Sequence, residues 1–475
     1  MKAQTLNSKH TTTEQSKTEI VLKKKVLILD GAATGEEKLS SILSLLTDVL
    51  KQNGADVEVI SPRNMKLAHC IGCFGCWLET PGTCRFKEPD AQETLKAWIQ
   101  SDTVVMLTPV TFGGYSSRLK QAVERNLPTL LPYFSTYHGE IHHRARYSKN
   151  PRLIGIGVQD SPNDAEADIF KLVVGRHAID MHAPSFAAEV IGINDSIDHL
   201  REAFQSLLLR SDPPPWAKRM KQLAPEAEMI VNHSEPSAPQ RACLIIGSPK
   251  TLSNSTSGVL GNYILDRMKE HGWETESVTL KPSLSTSQGE TELLKEVDQA
   301  DLLVFAFPLY VEALPFLMTR ALEVIANHRR VNAQPRPLQL FAIVNNGFPE
   351  SYQNKLALSI CRNFAKSTGM TWVGGLPMGA GESVIGGEPL KQRSDLGFPL
   401  YKIQLALKTA ADALAQGRPI PIEAIRNLAS SPVPYTPFFV WRFLFTRGSI
   451  GFWEKRATGH GVSKQRMLAS PVPIN

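Results

Sequence analysis

Three things are scarce in this 475-residue chain: net charge, long apolar runs, and cysteine outside one short segment. Each scarcity excludes something. The formal net charge of +6 at pH 7 is too small a basic excess to imply nucleic-acid binding without a basic stripe. No apolar run reaches the length of a bilayer span, so an integral membrane protein is not expected. Six cysteines in a chain this long cannot make a disulfide scaffold. The polar N-terminus MKAQTLNSKHTTTEQSKTE has no apolar core of a secretory signal and reads as a disordered arm over residues 1–21. A cytoplasmic globular protein of two or three domains is expected.

What the chain does have is four of its six cysteines within CIGCFGCWLETPGTC: Cys70, Cys73, Cys76 and Cys84. Two-residue gaps let successive sulfurs converge on one point. Four readings stay open. The set suits a [4Fe–4S] cluster. It could instead hold structural zinc, although three cysteines at such steps crowd one side of a tetrahedron. Cys73 and Cys76 could form a redox-active pair. Finally, the cysteines could be small apolar residues of a loop at a domain contact.

The rest of the chain repeats one plan. VLILD, VEVI, SDTVVMLTP and LIGIGV read as buried parallel strands separated by helices. ACLIIGSPK, ETESVTL, DLLVFAFPLY and LQLFAIVNNGF follow the same order in the second half. This alternation predicts two α/β domains, each a doubly wound parallel sheet. The expected boundaries are 22–210 and 241–418, with a Pro- and Ser-rich linker at 211–240 and an aromatic tail at 419–475. In such sheets ligands sit beyond the carboxyl ends of the strands.

The turn after the first strand of the second half is GSPKTLSNSTSG. Ser248, Ser253, Asn254, Ser255 and Thr256 supply polar groups at a helix N-terminus, and Lys250 adds positive charge. Those are the requirements of a phosphate site. This segment resembles the phosphate loop of the NADPH-dependent FMN reductase and flavodoxin-like quinone reductase superfamily. FPLYVEALP resembles that family's second flavin loop and VNNGFPES its third. The resemblance implies a flavodoxin-like fold with five strands per half and FMN as cofactor. It implies Pro308, Leu309 and Tyr310 beside the flavin ring, with Asn345, Asn346, Gly347 and Phe348 at its pyrimidine edge. It further implies NAD(P)H as electron donor.

The first half resembles the same superfamily more weakly. TPVTFGGYSSRLKQAVER looks like its second flavin loop, which would bring Pro109, Thr111, Phe112, Gly113, Gly114 and Tyr115 to a ring. The cysteine run is similar to that of the iron–sulfur flavoproteins, with the last gap at the upper edge of their pattern. The first turn, DGAATGEEKLS, departs from the family: Thr34 and glycines help, but Glu36 and Glu37 would repel a phosphate. FMN in the first half is therefore an open question. HGEIHHRARY reads as a solvated basic loop. The tail segment PYTPFFVWRFLFTRGSIGFWEKR holds five Phe and two Trp. It is expected to cover a domain or subunit contact, or to lie in a membrane interface.

The leading expectation is an NAD(P)H-dependent FMN oxidoreductase serving a quinone, a flavin or another small acceptor, as an internal pseudo-dimer or a homo-oligomer. The alternatives are an iron–sulfur flavoprotein that uses the four cysteines for electron transfer, and a non-catalytic flavin- or redox-sensing interaction protein.

Overall fold

The computed structural model describes residues 24–33, 35–223, 240–251, 255–331, 337–387, 389–390, 398–430 and 436–474. The N-terminal arm, Thr34, most of the linker, Ser253 and Asn254 lie outside them.

The first half holds strands β1 (Lys25–Asp30), β2 (Asp56–Ile60) and β3 (Thr103–Pro109). It continues with β4 (Leu130–Tyr137), β5 (Glu140–Ala145), β6 (Arg152–Gln159) and β7 (Phe186–Gly192). Five of these form a parallel sheet in the order β2-β1-β3-β6-β7. β4 and β5 pair antiparallel as a separate ribbon. The second half holds β8 (Arg241–Ile246), β9 (Glu274–Thr279), β10 (Leu302–Pro308), β11 (Gln339–Asn345) and β12 (Thr371–Met378). They form a second parallel sheet in the order β9-β8-β10-β11-β12. In sequence rank both sheets read 2-1-3-4-5, the flavodoxin-like order, with its crevice between the first and third strands. The central strands are apolar almost throughout because helices cover both faces.

The halves dock through equivalent helices. Ser117–Val123 packs on Phe316–Val331, and Asp164–Asp180 packs on Lys355–Ser367. One continuous core runs from Trp98 and Phe170 in the first half to Phe305 and Phe364 in the second. The two sheets are thus one folded body related like the subunits of a two-fold dimer. The aromatic tail forms the helix Phe438–Gly459, which packs on β4 and on the short helix Gly75–Leu78. Arg146 ties down the chain end, donating to the carbonyls of Met467 and Ala469 at 2.7 Å.

Candidate functional site

The two turns after the first strands share a backbone and differ in charge. The Gly247 N–H donates to the Ala306 carbonyl, as the Gly31 N–H does to that of Leu107. A Cβ at Gly247 would lie 2.9 Å from that of Phe307, so only glycine fits this turn. In the second half, Ser255 Oγ caps the helix Thr256–Glu270, accepting the Gly258 N–H at 3.0 Å. The Lys250 ammonium stands nearby, 3.1 Å from Glu382 and 5.2 Å above the Phe74 ring. In the first half the chain's own carboxylates take the anion's place. The Ala33 N–H donates to Glu36 at 2.8 Å and the Ala32 N–H to Asp30 at 3.0 Å. Asp30 is in turn paired with Arg63. The crevice at that sheet edge is lined by Glu36, Glu37, Asp160 and Glu166 against Lys38 alone. A phosphate dianion does not fit there.

The second loops differ in the same sense. Thr111 and Gly114 exchange backbone hydrogen bonds, as Tyr310 and Ala313 do. In the first half this loop is spent on docking. Phe112 meets Phe364 edge-on at 5.1 Å, and its carbonyl accepts from Asn363. Gly114 abuts Ile360. Tyr115 is buried in the core, its hydroxyl 3.1 Å from His177 Nδ1. Of the six first-half residues expected near a ring, only Pro109 lines the acidic crevice.

The second-half loops converge on one cavity between the halves. Ser248, Lys250 and Thr256 line it from the first loop and Pro308, Leu309 and Tyr310 from the second. Asn345, Asn346, Gly347 and Phe348 line it from the third. The lining suits FMN: a basic residue and a capped helix N-terminus at one end, a proline and a tyrosine along the side. Asn346 Oδ1 is buried there with no partner, an acceptor available to a ring N–H. Nothing lies within 4 Å of the Cβ position of Gly347, so its backbone is open to a close planar ligand.

The opposite wall comes from the first half: Cys70, Gly72, Phe74 and Trp77 of the cysteine loop, Leu130 and His143 of the β4–β5 ribbon, and Asp180. All four cysteines also line one smaller pocket with Arg125. They are unpaired, and burial pushes the Cys70 thiol up to about 12 and that of Cys76 well above its usual range. Thiols this buried become thiolate ligands only with a cation to compensate them. Among the described residues no three of these sulfurs come within 4.8 Å of one another. Tetrahedral zinc with bonds of about 2.3 Å needs spacings of about 3.8 Å.

The cysteine loop touches Tyr310 of the cavity wall directly. Gly72 adopts φ +64°, and a Cβ there would fall 2.1 Å from the Tyr310 hydroxyl. Gly72→Ala is therefore expected to displace Tyr310 and weaken FMN binding roughly tenfold, with roughly 1 kcal/mol lost from left-handed strain. Adding Tyr310→Phe removes the atom the methyl meets and should recover most of the affinity in a fluorescence titration. An unchanged single variant would separate the loop from the flavin wall.

One buried network escaped the sequence reading. β5 carries His142, fully buried, and His143, half-buried against the cavity, where a solvated loop was expected. Arg176 is fully buried and pairs with Glu140 of its own half and, at 3.0 Å, with Glu312 of the other. His142 Nε2 lies 3.1 Å from Glu140, and Nδ1 lies 3.8 Å from Asp180. Burial alone would discharge His142, but the Asp180 and Glu140 carboxylates overrule it and hold its pKa up at about 9. Burial pushes His143, on the cavity side, down to about 4. Among the described residues, only His142, Asp180 and Glu312 group as three potential metal ligands. The cluster carries its own counter-charges, with Glu140, Asp180 and Glu312 set around Arg176 and His142. Partners this distant in sequence leave no local signal.

The match to a protein family falls on the first half. Residues 24–132 match the model of the NADPH-dependent FMN reductase family. An iron-sulfur flavoprotein of Methanocaldococcus jannaschii is 31% identical over 104 residues, covering 22% of this chain and 52% of that protein. An iron-sulfur flavoprotein of Archaeoglobus fulgidus is 26% identical over 102 residues, 22% of this chain and 48% of that one. The chain thus spans about half the length of the curated relatives it matches. Among solved structures, the NAD(P)H:quinone oxidoreductase from Methanothermobacter marburgensis is similar at 13% identity and TM-score 0.31. It covers 40% of this chain and 100% of that one. An FMN-dependent NADH-azoreductase from Bacillus anthracis is similar at 12% and TM-score 0.30, over 39% and 99%. At those values neither structure bears on activity.

Proposed function

We propose that this chain is an NAD(P)H-dependent FMN oxidoreductase that binds one FMN, in its second half, and delivers electrons to a quinone, a flavin or another small acceptor. The convergence of three second-half loops on one cavity carries this reading. Lys250, Ser255 and the helix N-terminus would hold the phosphate, and Pro308 and Tyr310 would flank the ring. The Asn346 side chain and the Gly347 backbone would meet its polar edge. When bound, FMN supplies hydride acceptance from a nicotinamide and electron release to the acceptor. The protein's own part is to anchor, to exclude water with Phe74, Trp77 and Phe348, and to hold charge near the ring.

One observation favours a second function for the same cavity. Its far wall is the four-cysteine loop, in contact with Tyr310. Cys70, Cys73, Cys76 and Cys84 would there hold a [4Fe–4S] cluster next to the flavin, which makes the chain an iron–sulfur flavoprotein. The test is the anaerobic spectrum of the purified chain with FMN and iron assays, before and after NADPH. One FMN per chain, bleached by NADPH, is expected. Four irons per chain, lost in Cys73→Ser, support the cluster. Two FMN per chain, or none after reconstitution, would overturn the proposal.

A further inference from the structure

The C-terminal helix Phe438–Gly459 has two aromatic faces, and only one is covered. Phe445, Trp453 and Ala457 are buried. Trp453 meets Phe74 and Trp77 edge-on at 5.2 Å, and Phe445 stacks on Phe134. That face closes the ribbon and the cysteine loop. The other face shows Phe439 at 68% exposure, Phe443 at 58%, Leu444 at 52% and Phe452 at 52%. A soluble surface helix normally turns such residues inward. Between them Gly448 and Gly451 have nothing within 4 Å of their Cβ positions, so the surface is open there.

Charge says what this face meets. Residues 436–475 hold six Lys and Arg against the single Glu454, so this segment accounts for five of the chain's six net positive charges. Glu454 is turned to Lys464 at 2.8 Å, and the exposed face carries Arg447 and Lys455 with no carboxylate. The Arg447 guanidinium lies 5.1 Å over the Phe443 ring, and that of Arg456 lies 5.3 Å over Phe452. Both guanidinium groups thus sit against an aromatic ring. A groove between this helix and the ribbon is lined by Arg144, Arg442 and Arg447 with Phe439 and Phe443; Arg442 is held by the Gly139 carbonyl and Glu350, so Arg144 and Arg447 carry the groove's charge.

We propose that this face docks on an anionic lipid bilayer, with phosphate headgroups in the arginine groove and Phe439, Phe443, Leu444 and Phe452 inserted below headgroup level. Basic side chains beside exposed aromatic rings suit an anionic leaflet, which attracts each Lys or Arg near its surface. An acidic protein surface would satisfy the cations but not four protruding apolar side chains. Among the described residues no helix is long and apolar enough to cross a membrane, so the contact is peripheral.

The test is flotation of the full chain with vesicles of phosphatidylcholine alone or with 30% phosphatidylglycerol, at 0.1 and 0.5 M salt. At least tenfold more protein should float with the anionic vesicles at low salt, and high salt should reverse it. Phe439→Ser/Phe443→Ser/Phe452→Ser and Arg447→Glu/Lys455→Glu should each lose at least tenfold with unchanged melting temperature, since these side chains are exposed. Phe443→Trp adds an independent readout, a blue shift of emission on anionic vesicles. No flotation, equal flotation on both vesicle types, or a triple variant that floats normally would overturn the proposal. So would a dimer that the triple variant turns into a monomer, which would make this face a subunit interface.

Discussion

Ser255→Asp is expected to abolish FMN retention while leaving the fold in place. Ser255 caps the helix Thr256–Glu270 through the Gly258 N–H, and aspartate caps a helix equally well. The substitution therefore keeps the local hydrogen bond and adds one negative charge at the helix N-terminus, next to Thr256 of the cavity wall. Two unit charges about 4 Å apart repel by about 4 kcal/mol at an effective dielectric of 20, and the phosphate carries close to two. Affinity should fall by at least about 100-fold in a fluorescence titration, with the far-ultraviolet circular dichroism of the parent retained. The first half already carries the analogous arrangement, with Glu36 holding the Ala33 N–H. Lys250→Ala, which removes attraction without adding repulsion, should cost less. FMN binding that survives Ser255→Asp would move the phosphate elsewhere in the cavity.

Much of this site was legible because its signals are local. A parallel strand covered on both faces must be apolar throughout, so VLILD and DLLVFAF announce themselves. A phosphate loop needs small polar residues and a cation in one turn, and Ser248 to Thr256 supply both. Glu36 and Glu37 gave the opposite signal in the first half, and their carboxylates do line that crevice. The first-half loop was harder. Gly113, Gly114 and Tyr115 are the residue types of a flavin loop, and only the docking of Phe112 on Phe364 gives them another use. The β4–β5 ribbon looked solvated because Glu140, His142 and Arg144 are polar. Its burial depends on Arg176 and Glu312, which a local reading cannot pair with it. That the cysteine loop faces the other half's Tyr310 follows from docking geometry alone, not from spacing.

That docking also predicts where the protein is most easily broken. Arg176 is buried in full, and its guanidinium joins Glu140 of the first half to Glu312 of the second. Removing one partner of a buried ion pair leaves its neighbour charged and unsolvated, at a cost of about 3–5 kcal/mol. Arg176→Met keeps most of the side-chain volume and removes the charge, leaving two carboxylates to His142 and Lys120. It should shift the urea midpoint by an amount equivalent to that cost. Arg176→Lys should rescue it poorly, because one ammonium cannot span both carboxylates as the planar fork does. Pairing Arg176→Met with Glu312→Gln discharges the orphaned acid across the interface. The double variant should be more stable than the sum of the two singles by at least about 1 kcal/mol. Glu312 and Asp180 also line the flavin cavity, so Arg176→Met should weaken FMN binding as well as folding. If the singles were instead additive, the halves would not be coupled through Arg176. The apolar contacts of Phe112, Ile360 and Phe364 would then hold the flavin cavity together on their own.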